Sequence, residues 1–162
     1  MIEYAKLEDK EEIYNLICIL ENKEINKEHY DCVFENSLKD EDIIYLVYRD
    51  EKIEGFLSFK IHHYLHHNRD TGEIVELVVL PEKRSLKIGK QLIEKIEEES
   101  IRRGMNSVIA ICGPEGNPIA VHVMDGAYLV SYDVAVKKAY TSVAVKMSTM
   151  ELSRLTQPGQ TF

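Results

Sequence analysis

The segment 83–90 carries four cationic residues and one glycine in a chain of net charge -8. These residues are Lys83, Arg84, Lys87, Lys90 and Gly89. The preceding run at 73–80 has the composition of a strand, and the apolar residues of 88–96 repeat at helical spacing. A strand that runs into a helix presents unpaired backbone N–H groups, and the helix dipole adds partial positive charge. The segment therefore predicts an anion site suited to a diphosphate. The alternative is a solvated, lysine-rich helix start.

A second group of residues with possible chemistry is HHYLHH, which holds four of the six histidines between His62 and His67. Neutral imidazoles are common metal ligands. In an extended strand His62 and His66 would share a face but stand about 13 Å apart, too far for one ion. A turn could bring His66 or His67 nearer. Between a metal site and polar residues of a substrate pocket, we favour the second and expect no bound metal.

Composition sets limits on the class of protein. The chain has 162 residues and 44% hydrophobic content, enough for one sizeable core or two small ones. The acidic balance and the lack of a long basic run argue against nucleic-acid binding. The apolar runs are too short to span a bilayer and the first residues lack a hydrophobic signal region, so we expect a cytoplasmic protein without a membrane partner. Three cysteines without CxxC spacing are interpreted as small core residues.

Periodicity predicts the elements that must position these residues. Apolar residues at helical spacing indicate helices near 13–20, 30–38, 88–103 and 131–147. Strands are predicted on both sides of a turn at 49–52, from about Glu73 onward, and on both sides of a turn at 114–117. Together with a short first strand, the expected order is βααβββαβ followed by a strand and a helix.

The motif RSLKIG at 84–89, following ELVVLPEK at 76–83, resembles the acetyl-coenzyme A signature of the GNAT N-acetyltransferases, Arg/Gln-x-x-Gly-x-Gly/Ala. Within that family, LICIL, HYLHHN and GEIVELVVLPEKRSLKIGKQL are similar to aminoalkylphosphonate N-acetyltransferases. The resemblance covers about residues 1–108. One departure is Lys87, which stands where the pattern has its first glycine.

This resemblance implies an α/β (α+β) fold, with a mixed, mostly antiparallel sheet and flanking helices. It also implies acetyl-CoA as cosubstrate. The pantetheine arm would lie along the backbone of Leu77, Val78 and Val79. The diphosphate would be surrounded by Arg84, Ser85, Leu86, Lys87, Ile88, Gly89 and Lys90.

The resemblance also implies which residues act in catalysis and in substrate binding. Glu73 falls where several family members have the general base, and a carboxylate there can take the proton of an acceptor ammonium. The alternative is an exposed carboxylate at the start of a strand. Glu76 lies three positions on, so strict alternation predicts that it points to the opposite sheet face. His66 and His67 are assigned to substrate binding, because the aminoalkylphosphonate relatives carry a similar pair.

The last third of the chain departs from the GNAT plan. Asn117 and Ala120 have Asn-x-x-Ala spacing, but Pro118 and the β-rich run that follows predict a strand. About residues 106–162 instead resemble the front half of a GlcG/HbpS-like haem-binding domain, through an x-Gly-x-Pro-x-Ala-Val hairpin, a Met-Asp-Gly-Ala turn and a Lys-Ala-Tyr-Thr helix. We therefore predict a GNAT-like acetyl-CoA-binding domain at 1–108 and an atypical, GlcG/HbpS-like segment at 109–162 that packs on it, with a β-hairpin and a helix.

These observations predict an acetyl-CoA-dependent N-acetyltransferase that acts on a small primary amine, with an aminoalkylphosphonate-like acceptor as one candidate. The alternative is a haem- or small-ligand-binding oligomer with a vestigial CoA site, in which His122 could be offered as a haem ligand. The acid that protonates the departing thiolate is left open among Tyr128, Tyr132 and Tyr140. An incomplete second domain would leave an uncovered edge or helix face, so we expect a homodimer.

Overall fold

The computed structural model describes residues 1–65, 69–105, 108–123, 127, 129–147 and 149–157, with the backbone alone at 108, 109, 122, 150 and 151. The chain forms two compact units, Met1–Met105 and Asn106–Phe162. The division between them lies close to the predicted boundary at 108/109.

The first unit is built on a four-stranded antiparallel sheet of order β1-β2-β3-β4. The strands are β1 (Ile2–Tyr4), β2 (Ile43–Arg49), β3 (Ile53–His62) and β4 (Thr71–Val79). The helices are α1 (Lys10–Glu21), α2 (Lys27–Ser37) and α3 (Ile88–Arg102). The predicted fold class, a mainly antiparallel sheet with flanking helices, is confirmed.

Strand β3 is buried along most of its length because helices cover both of its faces. On one face Phe56 packs in a core cluster with Ile13 of α1 and Phe34 of α2. On the other face a Cβ added at Gly55 would come within 2.8 Å of Ile88 Cγ2, so this glycine allows α3 to approach the sheet closely. Burying each large apolar side chain contributes about 2 kcal/mol, which favours the covered sheet.

A β-bulge interrupts the pairing of β3 with β4. Ser58 pairs with Glu76, but the next residue, Phe59, pairs with Ile74, so Val75 has no partner. The extra residue reverses the alternation of side chains along β4. Because Lys60 pairs with Glu73, both Glu73 and Glu76 lie on the same sheet face, the one that carries Ser58. The prediction that Glu76 points to the opposite face is therefore wrong.

The second unit contains the antiparallel pair of β5 (Val108–Cys112) and β6 (Pro118–Val123), followed by α4 (Leu129–Val145) and α5 (Thr149–Leu155). The predicted hairpin and helix are confirmed, and residues 118–123 form a strand rather than an Asn-x-x-Ala helix. Helix α5 was not predicted. Among the described residues no helix is long and apolar enough to cross a membrane.

The cysteines do not behave as the core residues that the sequence predicted. Cys32 lies on α2 and is exposed, while Cys18 and Cys112 are only partly buried. The side-chain amide of Asn36 donates to Cys32 Sγ at 3.5 Å. A cysteine on an amphipathic helix takes the burial of its face, which composition alone does not reveal.

Candidate active site

The turn between β4 and α3 has an unusual backbone. A short 3₁₀ segment, Pro81–Lys83, follows the strand, and α3 begins at Ile88. Between them Ser85 and Lys87 have φ values of 69° and 62°, in the left-handed region. A residue with a Cβ pays about 1 kcal/mol there, which explains why the family pattern has glycine at the position of Lys87.

The start of α3 offers unpaired backbone donors. Among the described residues no protein acceptor is recorded for the N–H groups of Ile88, Gly89 and Lys90, whereas the N–H of Gln91 donates to Lys87 O at 3.0 Å. Lys87 occupies the N-cap without a side-chain cap bond. Since the dipole of this 15-residue helix adds partial positive charge at the same end, the donors are suited to an anion.

Gly89 has room for a small side chain beside β4. A Cβ added there would have Val79 Cγ2 as its nearest neighbour, at 3.7 Å, which is an ordinary contact. The protein itself therefore does not require a glycine at this position. Space for a ligand against the backbone is the remaining physical reason for a glycine here.

The four cations of the turn are not equivalent. Lys83 pairs with the carboxylate of Glu54, which is only 5% exposed, and this hydrogen bond raises the pKa of Lys83. Lys90 lies 3.5 Å from Glu94, and Arg84 Nε donates to Val79 O at 3.4 Å. Lys87 is exposed. Three cations remain available at the surface, while Lys83 serves an internal ion pair.

The other predicted cofactor residues divide into side chains that are buried and side chains that are accessible. Val78 and Ile88 are 4% and 2% exposed, so only their backbone atoms are available to a ligand. Leu77 and Val79 are half-buried, whereas Ser85 and Leu86 are exposed. The backbone contacts with pantetheine that the resemblance implies for residues 77–79 stay a prediction.

A cavity of about 270 Å³ lies between α1, α2 and the sheet. Four aromatic rings line it in sequence, with centroid distances of 5.6 Å for Tyr30–Phe34, 5.4 Å for Phe34–Tyr45 and 5.3 Å for Tyr45–Phe56. The remaining lining residues are Ile13, Ile17, Ile25, Asn26, His29, Val33 and Glu76. Sequence reasoning did not find this cavity, because its walls come from segments whose apolar residues read as ordinary core positions.

Glu76 contributes the carboxylate of this cavity. Its Oε2 accepts a hydrogen bond from Ser58 Oγ, and its backbone N–H donates to the same Oγ at 3.2 Å. Burial, and secondarily the negative charge of Glu21, raise the pKa of Glu76 to about 7. A carboxyl group with a pKa near neutral inside a cavity is typical of functional sites. The position of Glu76 in the cavity was not predicted, because a rule of strict side-chain alternation along a strand does not account for a β-bulge.

Glu73 lies on the same face, nearer the start of β4. Its Oε2 is 3.3 Å from Nε2 of His62, and its side chain is 36% exposed. The ring of His62 stacks on Tyr64, with centroids 5.9 Å apart. Glu73 therefore has one imidazole partner and remains accessible, which suits a group that exchanges protons with solvent.

The histidines between positions 62 and 67 have different partners. His63 bridges Asp42 and Asp70, at 2.9 and 2.7 Å, and these contacts, Asp42 first, raise the pKa of His63. His66 and His67 lie outside the described residues. Their assignment to substrate binding stays a prediction.

The candidate acids for the thiolate are on or near α4. Tyr132 and Tyr140 are 49% and 55% exposed, and Tyr128 lies outside the described residues. The Tyr140 ring lies against Gly116, where an added Cβ would come within 2.8 Å of it. The acid stays unassigned.

Two family models match the chain. A GNAT acetyltransferase domain matches residues 40–120, and the family of haem degrading HbpS-like proteins matches residues 84–162. Both resemblances inferred from the motifs are thus confirmed. The two matches overlap at 84–120, the range that holds α3, β5 and the first half of β6.

Among known proteins, the chain is similar to an aminoalkylphosphonate N-acetyltransferase of Salmonella typhimurium, with 38% identity over 104 residues that cover 64% of this chain and 68% of that protein. A transcriptional regulator from Bacillus halodurans has TM-score 0.59 at 22% identity, covering 65% of this chain and 76% of that one. A glucosamine-6-phosphate N-acetyltransferase from Arabidopsis thaliana has TM-score 0.57 at 23% identity, with the same coverage of 65% and 76%. The two structures show the fold alone. The family match and the Salmonella relative together show that the chain belongs to the GNAT acetyltransferases, which use acetyl-CoA as cosubstrate.

Proposed function

We propose that this protein transfers the acetyl group of acetyl-CoA to a small primary amine. The observation that carries the proposal is the start of α3, where the N–H groups of Ile88, Gly89 and Lys90 have no protein acceptor among the described residues and Gly89 leaves room beside β4. A diphosphate needs such donors. The cofactor would lie with its diphosphate at 84–90 and its pantetheine along the backbone of 77–79.

Glu73 is proposed as the general base. It takes a proton from the acceptor ammonium, directly or through a water, and frees the nitrogen lone pair. The nitrogen then attacks the thioester carbonyl, the N–C bond forms, and the C–S bond breaks as the thiolate of CoA leaves with a proton from an acid still to be identified. A backbone N–H near Val79 is proposed to polarise the carbonyl oxygen.

The identity of the acceptor amine is a separate part of the proposal. The name of the Salmonella relative supports an aminoalkylphosphonate as one candidate, and His66 and His67 are proposed to contact the acceptor. The chemistry of the cavity around Glu76 supports a different class of amine.

Release of CoA from acetyl-CoA in the presence of a panel of primary amines tests the proposal. The expected result is thiol release that depends on both the amine and the enzyme, with the acetylated amine identified by mass spectrometry. Failure of acetyl-CoA to bind, measured by calorimetry, would reject the proposal.

A second candidate function is haem or small-ligand binding by an oligomer, supported by the HbpS-like match at 84–162. His122 lies in β6, but its side chain is outside the described residues. Thermal shifts with haemin and with acetyl-CoA separate the two functions. Stabilisation by haemin alone would favour the second candidate, and stabilisation by acetyl-CoA alone favours the first.

A homodimer remains a proposal. In the second unit, Leu129, Val130 and Ile119 are 98%, 66% and 69% exposed, and apolar side chains exposed to this extent are suited to an interface. Light scattering on the purified protein gives the oligomeric state, and a monomer at micromolar concentration would reject the dimer.

A further inference from the structure

Glu76 is a carboxylate that the mechanism proposed above does not use. It lies in a cavity formed mainly by apolar and aromatic side chains. One carboxylate oxygen is held by Ser58, which is itself 2% exposed. Among the described residues the other oxygen has no recorded protein partner, and no buried side-chain oxygen or nitrogen lacks a partner. The free oxygen is therefore accessible to a ligand from the open cavity.

The charged side chains around the cavity favour a cationic ligand over an anionic one. Among the described residues that line the cavity, Glu76 is the acidic side chain, His29 is the basic one, and none is lysine or arginine. Lys27 approaches from α2, with its Nζ 5.5 Å from the centroid of the Tyr30 ring, and is paired with Glu11 and Asp31. Glu21 adds negative charge from α1 and helps to raise the pKa of Glu76. An anion inside this cavity would be repelled, whereas a cation would supply the partner that a partly desolvated carboxylate lacks.

The aromatic side chains that line the cavity favour an apolar or aromatic body for the ligand. The rings of Tyr30, Phe34, Tyr45 and Phe56 present apolar surface, and faces of aromatic rings also attract ammonium groups. A volume of about 270 Å³ is enough for a small amine with an alkyl chain or one aromatic ring, but a strongly hydrated anionic group would lose its water without gaining a cationic partner.

We propose that Glu76 binds the ammonium group of the acceptor at the end of this cavity, and that the acceptor is a primary amine with an apolar or aromatic body. The inference rests on the proposed acetyl transfer and narrows its substrate class. Glu73, on the same sheet face because of the bulge at Val75, then takes the proton. Binding and proton removal are thus assigned to two different carboxylates.

The ionisation of Glu76 makes amine binding depend on pH. Since the pKa of Glu76 is about 7, its charged form is reached only near neutral pH, and the affinity for an ammonium rises as pH increases through this value. Among the described residues, the titratable and polar groups around the cavity are Glu21 of α1, Asn26 before α2, Lys27, His29 and Tyr30 of α2, Tyr45 of β2 and Ser58 of β3.

The test compares amines of matched length. We expect kcat/KM for 2-phenylethylamine to exceed that for 2-aminoethylphosphonate by about tenfold or more, because the anionic group is penalised in the cavity. A preference for the phosphonate would overturn the inference.

Variants assign the effect to Glu76. Glu76→Gln should raise KM for 2-phenylethylamine by about tenfold, a loss expected for removal of the charge from a hydrogen bond, while KM for acetyl-CoA stays unchanged. Glu28→Gln, an exposed carboxylate at the start of α2 outside the cavity lining, is the matched control and should have wild-type kinetics. An unchanged amine KM in a folded Glu76→Gln protein would refute the role of Glu76.

Binding without turnover separates this inference from the proposed function. The chain has no tryptophan, so tyrosine fluorescence can report on Tyr30 and Tyr45 of the cavity when 2-phenylethylamine is titrated in without acetyl-CoA. Binding that Glu76→Gln weakens, together with no acetylation of any amine, would support the site and reject the enzyme activity. Acetylation that is indifferent to Glu76→Gln would support the activity and reject the site.

Discussion

Ser58 holds Glu76 through two hydrogen bonds: the Ser58 hydroxyl donates to the Glu76 carboxylate, and the Glu76 backbone N–H donates to the same hydroxyl oxygen at 3.2 Å. The pair lies directly beside the β-bulge at Val75. Because the serine is buried, it fixes the carboxylate against the wall of the cavity. A local irregularity in one strand thus brings Glu73 and Glu76 to the same face of the sheet.

Glu76 should lower the stability of the protein at high pH. Burial raises the pKa of Glu76 from 4.5 to about 7, so the stability associated with its protonated form is complete below pH 4.5 and is lost as pH rises through 7. The loss amounts to about 3 kcal/mol, at about 1.4 kcal/mol for each pKa unit. In urea unfolding, the free energy of unfolding of Glu76→Gln relative to that of wild type should increase between pH 5 and pH 8. If the unfolding free energies of variant and wild type differ by the same amount at pH 5 and pH 8, the raised pKa of Glu76 is contradicted.

Replacing Glu73 by glutamine should slow acetyl transfer without affecting cofactor binding. A general base contributes about 10²–10⁴-fold to a rate, and Glu73 lies outside the turn at 84–90. We expect kcat to fall by at least about 10²-fold, with the Kd for acetyl-CoA from calorimetry unchanged. Wild-type turnover in Glu73→Gln across the pH range would remove Glu73 from the mechanism.

Gly89→Ala should separate folding from cofactor binding. Among the described residues the added Cβ would meet Val79 Cγ2 at 3.7 Å, an ordinary contact, and alanine is favoured over glycine in a helix by up to about 1 kcal/mol. The variant should therefore be at least as stable as wild type in urea. If a ligand lies against Gly89, the same methyl group should weaken acetyl-CoA binding by about tenfold, the effect of a modest clash. Full affinity in the stable variant would place the cofactor elsewhere.

Lys83→Met should destabilise the first unit rather than weaken cofactor binding. The change leaves the carboxylate of Glu54, which is 5% exposed, without its ion-pair partner. Loss of the lysine leaves a buried carboxylate uncompensated, which is destabilising, and replacing both partners by apolar residues restores much of the loss. We expect Glu54→Leu combined with Lys83→Met to be more stable in urea than Lys83→Met alone. A large loss of acetyl-CoA affinity in the double variant would instead place Lys83 at the diphosphate.

Variants of Lys87 test the effect of a lysine at the position where the family pattern has glycine. Its φ of 62° favours glycine, so Lys87→Gly should unfold at higher urea than Lys87→Ala, with a difference of about 1 kcal/mol. Both variants lose the same charge and should lose acetyl-CoA affinity equally, by several-fold at low salt, if the ammonium contacts the diphosphate. Tighter binding by the glycine variant would show that the lysine crowds the site.

Local patterns in the sequence were sufficient to predict most of the elements. Helix α3 follows from the spacing of Ile88, Leu92 and Ile96, all three of which are buried. The β2–β3 turn and the β5–β6 hairpin follow from polar turn residues between β-rich runs. Such features depend on residues close together in the chain, and the turn motif RSLKIG carries its own backbone requirement, as the left-handed Ser85 and Lys87 show.

The identity of the cavity carboxylate was decided by the tertiary structure. Alternation assigned Glu76 to the wrong face because the bulge forms between β4 and its partner, and the pairing of Ser58 with Glu76 cannot be deduced from β4 alone. The raised pKa of Glu76 and the ion pair of Lys83 with Glu54 also require segments distant in sequence. Periodicity and turn chemistry are local properties, whereas desolvation and charge pairing depend on which distant side chains exclude water together.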